Sequence, residues 1–351
     1  VTNATFSISE LVQHYPRGDK FLKKCFSQFI TSDTVEWFES KGVPLKAEPD
    51  GRMFPNSDNS QSIIDCLINE TKTANVKIRT GINVLKLEKQ DNKFNLQLNN
   101  NTEEYDRIII ATGGSPKLSG LTWLEDLGHS IVPPVPSLFT FNMPQEKVKT
   151  MMGLAVDNAI VKIQGTKLQS EGPLLITHWG MSGPAILKLS AWGARILSEM
   201  NYHFYISINW SLIANEEEVR AETTHFRNDK KKLINYRPFQ LPTRLWEYLL
   251  SKVEIDPDKR WLDLSKKEFN RLVNILFNDI YKVEGKTTFK EEFVTCGGIS
   301  LADINSSTME SKVYPGLYFC GEVVDIDGVT GGFNFQAAWT TGYIAGKNVG
   351  A

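Results

Sequence analysis

Near its C-terminus the chain reads Gly316-Leu317-Tyr318-Phe319-Cys320-Gly321-Glu322, a short apolar strand ending on Gly-Glu. Gly328-Val329-Thr330-Gly331-Gly332-Phe333-Asn334-Phe335-Gln336-Ala337-Ala338 follows, a glycine-rich loop running into a helix. A buried strand with this ending puts an acid at the carboxyl edge of a sheet, where open α/β folds bind ligands. The Thr330-Gly331-Gly332 turn then delivers a helix N-terminus whose first N–H groups lack intrahelical partners, with no Cβ in the way. Small residues at Ala337, Ala338, Gly342, Ala345 and Gly346 let that helix lie close against a sheet or a ligand. A Gly-Gly pair ahead of a helix is by itself an ordinary tight turn. Here it is coupled to a second strand of the same kind, Ile108-Ile109-Ile110-Ala111-Thr112-Gly113-Gly114, whose Ile triplet reads as buried on both faces.

Between and before these segments the pattern alternates. Asp33…Glu36 reads as a capping box opening a helix with Val35, Trp37 and Phe38, and Gly42 and Pro44 close it. Ile63, Ile64, Leu67 and Ile68 share one face of a second helix. Val76/Ile78, Ile82–Leu87 and Phe94–Leu98 then alternate with period two and predict a three-stranded meander. Val132-Pro133-Pro134-Val135-Pro136 reads as a stiff boundary. Beyond it strands are predicted at 138–141, 160–163, 174–177 and 204–208, with a helix capped by Ser182. Asn215 caps a helix running from Glu216-Glu217-Glu218 to Lys230-Lys231-Lys232, and Pro242–Leu250 and Ser265–Phe277 are two more.

Composition narrows the function. Lys and Arg number 39 against 41 Asp and Glu, a net charge of −2, which leaves no electrostatic footprint for nucleic acid or an anionic membrane. No apolar run approaches the roughly 18 residues of a membrane span. The four cysteines (Cys25, Cys66, Cys296, Cys320) form no CxxC, so the chain reads as reduced and cytoplasmic. His14, His129, His203 and His225 show no metal spacing, and no metal site is expected. At 351 residues the chain has room for about two domains.

A helix N-terminus opened by glycines suits an atom that becomes negative, such as the N1–C2=O locus of a reduced flavin. Here the motifs become specific. The meander followed by Ile108–Gly114, the run from Gly316 to Gly346, Gly51-Arg52-Met53-Phe54-Pro55, Thr177-His178-Trp179-Gly180-Met181-Ser182-Gly183-Pro184-Ala185 and Phe293-Val294-Thr295-Cys296-Gly297-Gly298-Ile299 occur in order along the whole chain. Together they resemble the BaiN/aminoacetone-oxidase-like flavoproteins, of the type with two dinucleotide-binding domains.

The resemblance implies an α/β fold: a Rossmann-like FAD-binding domain lacking its first βαβ unit, with a β-meander and a large inserted α+β domain. Residues 1–134 and 295–351 would form the FAD domain, and 135–294 an insert with β-rich and helical parts over the flavin. Thr112, Gly113 and Gly114 would pass the FAD by backbone. Gly321 and Glu322 would lie near the ribityl or pyrophosphate. Thr330, Gly331, Gly332, Phe333 and Asn334 would contact the pyrimidine edge of the isoalloxazine. A Cβ at Gly331 or Gly332 is expected to point at the ring or strain the turn, harming cofactor binding before folding.

The family opens with a strand–GxGxxG–helix unit, and this sequence contains no GxG. An upstream segment of a few tens of residues carrying it is therefore expected, without which FAD would bind weakly. The Ser115–Gly120 loop is also shorter than the family's usual connection.

Two residues carry catalytic expectations. His178 either exchanges a substrate proton near neutral pH or fixes the turn into the following helix by a backbone hydrogen bond. Arg52 either binds an anionic substrate group or pairs on the surface. The implied activity is hydride transfer between flavin N5 and a small organic substrate, with NAD(P)H as a transient donor. The alternatives are an oxidase passing electrons to O₂ and a non-catalytic flavin-binding protein. Substrate identity and oligomeric state stay open.

Overall fold

The computed structural model describes residues 1–287 and 294–350; Phe293, which opens one of the motifs above, lies outside the described residues. The chain divides into two compact units, Val1–Pro136 with Val294–Ala351, and Ser137–Phe293. Strands and helices alternate in a mixed α/β architecture.

The first unit opens with three short strands, β1 (Thr2–Asn3), β2 (Leu45–Ala47) and β3 (Arg52–Pro55), in antiparallel order β1–β3–β2. Leu45 and Met53 bury against Phe38 and Cys66, with Trp339 packed alongside. The helix Thr31–Ser40 begins before the expected cap. Asp33 is its third residue, and its carboxylate accepts the Ile30 N–H at 2.7 Å, supporting the first turn from within. The meander comprises β4 (Val84–Gln90), β5 (Lys93–Leu98) and β6 (Thr102–Tyr105). Val76 and Ile78, expected as its first strand, are instead more than half exposed outside it, and the polar Thr102–Tyr105 supplies the third strand. Next comes β7 (Ile108–Ile110); Ile110 is buried but Ile109 is 36% exposed, so one face of this strand is open rather than both covered. The stiff proline segment is itself a strand, β8 (Ile131–Ser137), and the division between the two units falls at its end.

The second unit holds β9 (Thr140–Asn142), β10 (Ala155–Ile163), β11 (Gln169–Ile176), β12 (Gly180–Ser182), β13 (His203–Asn209), β14 (Asp279–Glu284) and β15 (Lys286–Thr287). They form one antiparallel sheet in the order β14–β13–β10–β11–β12–β9–β15. Phe204, Ile206 and Ile208 bury while His203 and Tyr205 face out, the period-two alternation of a half-buried sheet. Trp210, Trp246 and Trp261 fill the core between this sheet and the helices. Two sequence-based boundaries shift. Ser182 ends β12, and Gly183, at φ 94°, caps the helix Pro184–Trp192 in its place. Asn215 does cap its helix, but that helix stops at Thr224, so Lys230–Lys232 lie beyond it. Lys232 pairs with Asp258 and Lys231 sits 4.3 Å from the Tyr236 ring. The Ser265 capping box forms as expected.

The chain returns to the first unit with β16 (Val294–Ile299), which pairs with β8, and β17 (Leu317–Phe319), which runs parallel to β7. All four cysteines are buried and outside any disulfide; burial pushes the Cys25 thiol up to about 12 and Cys320 to about 11. No described helix is long and apolar enough to cross a membrane.

His129 lies buried beside β17, its ring edge-on to Phe319 and its Nε2 2.8 Å from Ser311 Oγ. That hydroxyl accepts the N–H groups of Val313 and Tyr314, so its proton points to the imidazole, which must be neutral at Nε2. Burial lowers the His129 pKa, with Leu124 and Asp303 opposing. The unfolded chain then takes up a proton that the folded state resists, so stability falls as pH drops below about 6.5. A His129→Gln variant should lose this part of the acid slope, read as melting temperature between about pH 7 and pH 5.5.

Candidate functional site at the carboxyl edge of the parallel strands

Because β7 and β17 are parallel and in register (Ile108 with Leu317, Ile110 with Phe319), both leave the sheet at one edge. The Cys320 N–H extends the ladder to Ile110 O at 3.0 Å. Thr112–Gly114 and Gly321–Glu322 therefore emerge side by side, as their shared strand-to-glycine pattern requires.

Glu322 ties this edge together. Its carboxylate accepts the Thr295 N–H at 2.7 Å and the Gly114 N–H. Burial raises its pKa, opposed by these two bonds, while the nearby Asp327 charge pushes it further up. A Cβ on Gly114 would fall 2.2 Å from Thr295 Oγ1 and 2.9 Å from Glu322 Cδ, so that glycine exists for contact between protein segments. Gly113 and Gly321 differ. Both have left-handed backbone, φ 76° and 75°, and a Cβ on either would meet nothing within 4 Å. Their backbones face open space at the strand edge, and Thr112 beside them is exposed.

The glycine-rich turn is held from three directions. Gly332 sits at φ 95° as N-cap of the helix Phe333–Val349, with no side-chain cap on its N–H groups. Asn3 Nδ2 donates to Gly331 O at 2.9 Å. Thr2 Oγ1 and Thr34 Oγ1 both donate to Gln336 Oε1, a fully buried polar cluster in the helix's first turn. Tyr15 OH donates to Phe333 O at 2.7 Å, and His14 stacks on the Phe333 ring with centroids 4.1 Å apart. Asn334 accepts the Gly328 N–H at 2.8 Å and donates to Gly328 O at 3.0 Å, closing the loop on itself. Thr330 stays partly buried on the same turn.

These contacts reverse one expectation. A Cβ at Gly332 would not point at a ligand; it would fall 2.3 Å from Thr2 O, and one at Gly331 would fall 2.9 Å from Phe333 Cε2. Phe333 and Asn334 are likewise committed to packing and loop closure. Thr2, Asn3, Tyr15 and Arg17 carry no signal in the sequence, because their partners lie some 300 residues away and no local spacing marks them.

Arg52 and His178 fall in different units. Arg52 is exposed, paired with Asp50 at 2.7 Å and lying over the Phe54 ring. His178 is exposed at the tip of the β11–β12 hairpin, its ring 3.9 Å from that of Trp179. The turn is fixed instead by Thr177 Oγ1 accepting the Gly180 N–H.

A parallel strand pair with glycines open at its carboxyl edge and a glycine-started helix beside it defines a Rossmann-type nucleotide-binding unit. The chain belongs to the HI0933-like protein Rossmann domain family, whose model matches residues 1–348. It is 30% identical over 340 residues to a ribosomal RNA dihydrouridine synthase of Escherichia coli (strain K12), covering 94% of this chain and 82% of that protein. It is 27% identical over 357 residues to a 3-dehydro-bile acid delta(4,6)-reductase of Clostridium scindens, covering 98% and 86%. A ribosomal RNA dihydrouridine synthase of Haemophilus influenzae is 28% identical, covering 96% and 84%. The family is one of FAD-binding flavoproteins and includes oxidoreductases.

Two substitutions separate the turn from the helix it starts. Gly332→Ala should cost about 1–3 kcal/mol through strain and its clash with Thr2. Gly346→Ala, where a Cβ meets nothing within 4 Å, should gain about 0.8–1 kcal/mol of helix propensity. Melting temperatures should move in opposite directions. Glu322→Ala orphans two N–H groups and should cost about 1–3 kcal/mol for each that stays buried, read by denaturant unfolding.

Proposed function

We propose that this chain is an FAD-dependent reductase of a carbon–carbon double bond conjugated with a carbonyl group, using NAD(P)H as electron donor. The observation that carries the reading is chemical. A dihydrouridine synthase and a delta(4,6)-reductase of a 3-dehydro bile acid are named for the same bond change, on unrelated molecules. In such a conjugated system, hydride at the far carbon of the double bond (β, or δ through a diene) and a proton at its near carbon convert C=C to CH–CH and leave the carbonyl intact. Both names describe reduction, which favours a reductase over an oxidase.

The residues present fit a flavin dinucleotide. Gly113 and Gly321 leave a cradle that a side chain would fill, and Thr112 lies open beside them. The Phe333–Val349 helix offers uncapped N–H groups, suited to an oxygen that gains negative charge. When bound, FAD supplies the hydride at N5. In this reading Gly321 and Thr112–Gly114 pass the cofactor by backbone, and Glu322 holds those segments in place. Thr330–Gly332 present the helix terminus, and Phe333 and Asn334 keep it rigid. His178, exposed at the tip of its hairpin, delivers the proton to the α-carbon. Arg52 orients the substrate by its charge. A net charge of −2 supports a small organic substrate over an extended nucleic-acid track, and four cysteines outside any disulfide support a cytoplasmic setting.

The test is anaerobic reduction of the FAD-loaded protein by NADH or NADPH, followed by mixing with a 3-oxo-4-ene steroid, a uridine-containing RNA, or air. Reoxidation by one of the unsaturated carbonyl compounds, with the product two hydrogens heavier, is expected. Rapid reoxidation by air alone would favour an oxidase, and no reduction by either nucleotide would overturn the donor assignment. His178→Ala should lower the rate of substrate reduction by about 10²–10⁴-fold while leaving FAD content unchanged.

A further inference from the structure

Arg17 and Asp327 form an ion pair next to the glycine-rich turn that the proposed chemistry leaves unused. Asp327 is fully buried and the Arg17 side chain is 11% exposed. The contact is a fork: Arg17 Nε donates to Asp327 Oδ1 at 2.5 Å, and a terminal guanidinium nitrogen donates to Oδ2. The two residues are also bridged by backbone as an antiparallel pair.

The surrounding contacts couple this pair rigidly to the helix terminus. Asp327 directly precedes Gly328, whose N–H and carbonyl are both held by Asn334 in the helix's first turn. On the other side, His14 O accepts the Val329 N–H at 2.9 Å, and Tyr15 OH holds Phe333 O. A Cβ on Gly18 would fall 2.6 Å from Ile326 Cγ1, so the Tyr15–Gly18 segment is seated directly on the loop. The Asp327 charge reaches across the site, since it is felt at Glu322. A buried carboxylate is costly unless paired, and in a low-dielectric interior an unbalanced charge acts over many ångströms.

We propose that the Arg17–Asp327 pair keeps the Gly328–Gly332 turn free of net side-chain charge, so that the helix N–H groups alone act on the reduction potential of the flavin held there. The inference rests on the FAD reading above. As a matched pair the two charges nearly cancel, and the helix N–H groups alone favour the negative charge that forms on reduction. Removing one partner leaves the other uncompensated beside that charge, with a sign set by which was removed.

This sign separates an electrostatic role from a structural one. The natural full-length polypeptide would be purified with its flavin, and midpoint potential, FAD content and melting temperature measured together. Asp327→Asn leaves the permanently charged arginine and should raise the potential. Arg17→Met, measured at the alkaline end of the protein's stable range so that the carboxylate left behind stays ionised, should lower it. The double variant, carrying neither charge, should return towards the wild-type potential although it has lost every contact of the pair. Displacement of both single variants in one direction, no displacement, or a double variant further from wild type than either single would overturn the inference and leave the reductase reading intact. Should Asp327→Asn fail to fold, Arg17→Met and the double variant still test the sign. A wild-type protein that holds no flavin would overturn both.

Discussion

The Glu322 carboxylate is the point on which the first unit depends. It receives N–H groups from the ends or starts of strands that are remote in sequence, Gly114 after β7 and Thr295 at the start of β16, while itself following β17. A single side chain thus satisfies two backbone donors at a sheet edge that would otherwise be left unpaired. The cost is a raised pKa, since burial weakens the ionised form that does the binding. Its compensation is geometric: the same bonds that fix Thr295 bring Gly114 in close and leave the neighbouring Gly113 and Gly321 facing outward.

The two glycine pairs of the site illustrate different uses of one residue. Gly114 and Gly332 are glycine because protein lies against them, Thr295 in one case and the Thr2 carbonyl in the other. Gly113 and Gly321 are glycine because the backbone turns left-handed with nothing behind it. The sequence shows four similar glycines after two similar strands, and only the packing distinguishes them.

What was legible in the sequence was local. Ile108–Gly114 and Gly316–Gly332 announced strands, their turns and the helix that follows, since strand period, glycine placement and helix starts are written over a few residues. The Ser265 box and the Asn215 cap were equally plain. Asp33 misled because an acid three residues before another resembles a cap, yet it serves from the third helical position. Val76 and Ile78 alternate with polar neighbours yet stay exposed, and alternation without burial makes no strand. The clamp of Thr2, Asn3, Tyr15 and Arg17 on the Asp327–Gln336 segment was not legible at all. Its bonds join residues 310 to 334 apart, and no propensity or spacing rule reaches so far.

The first unit takes its two parts from opposite ends of the chain, and this has a consequence for how it is made. β7 acquires its parallel neighbour β17, and β1 its glycine turn, only after Ser137–Phe293 has been synthesised. At about 5–20 residues per second this interval is on the order of 10 s. Through it the half-made unit waits with a bare strand edge, while the intervening unit, whose seven strands all lie within its own stretch, is free to fold. The strands of the intervening unit are thus all synthesised before β7 can meet β17 and before the Phe333–Val349 helix can complete the site.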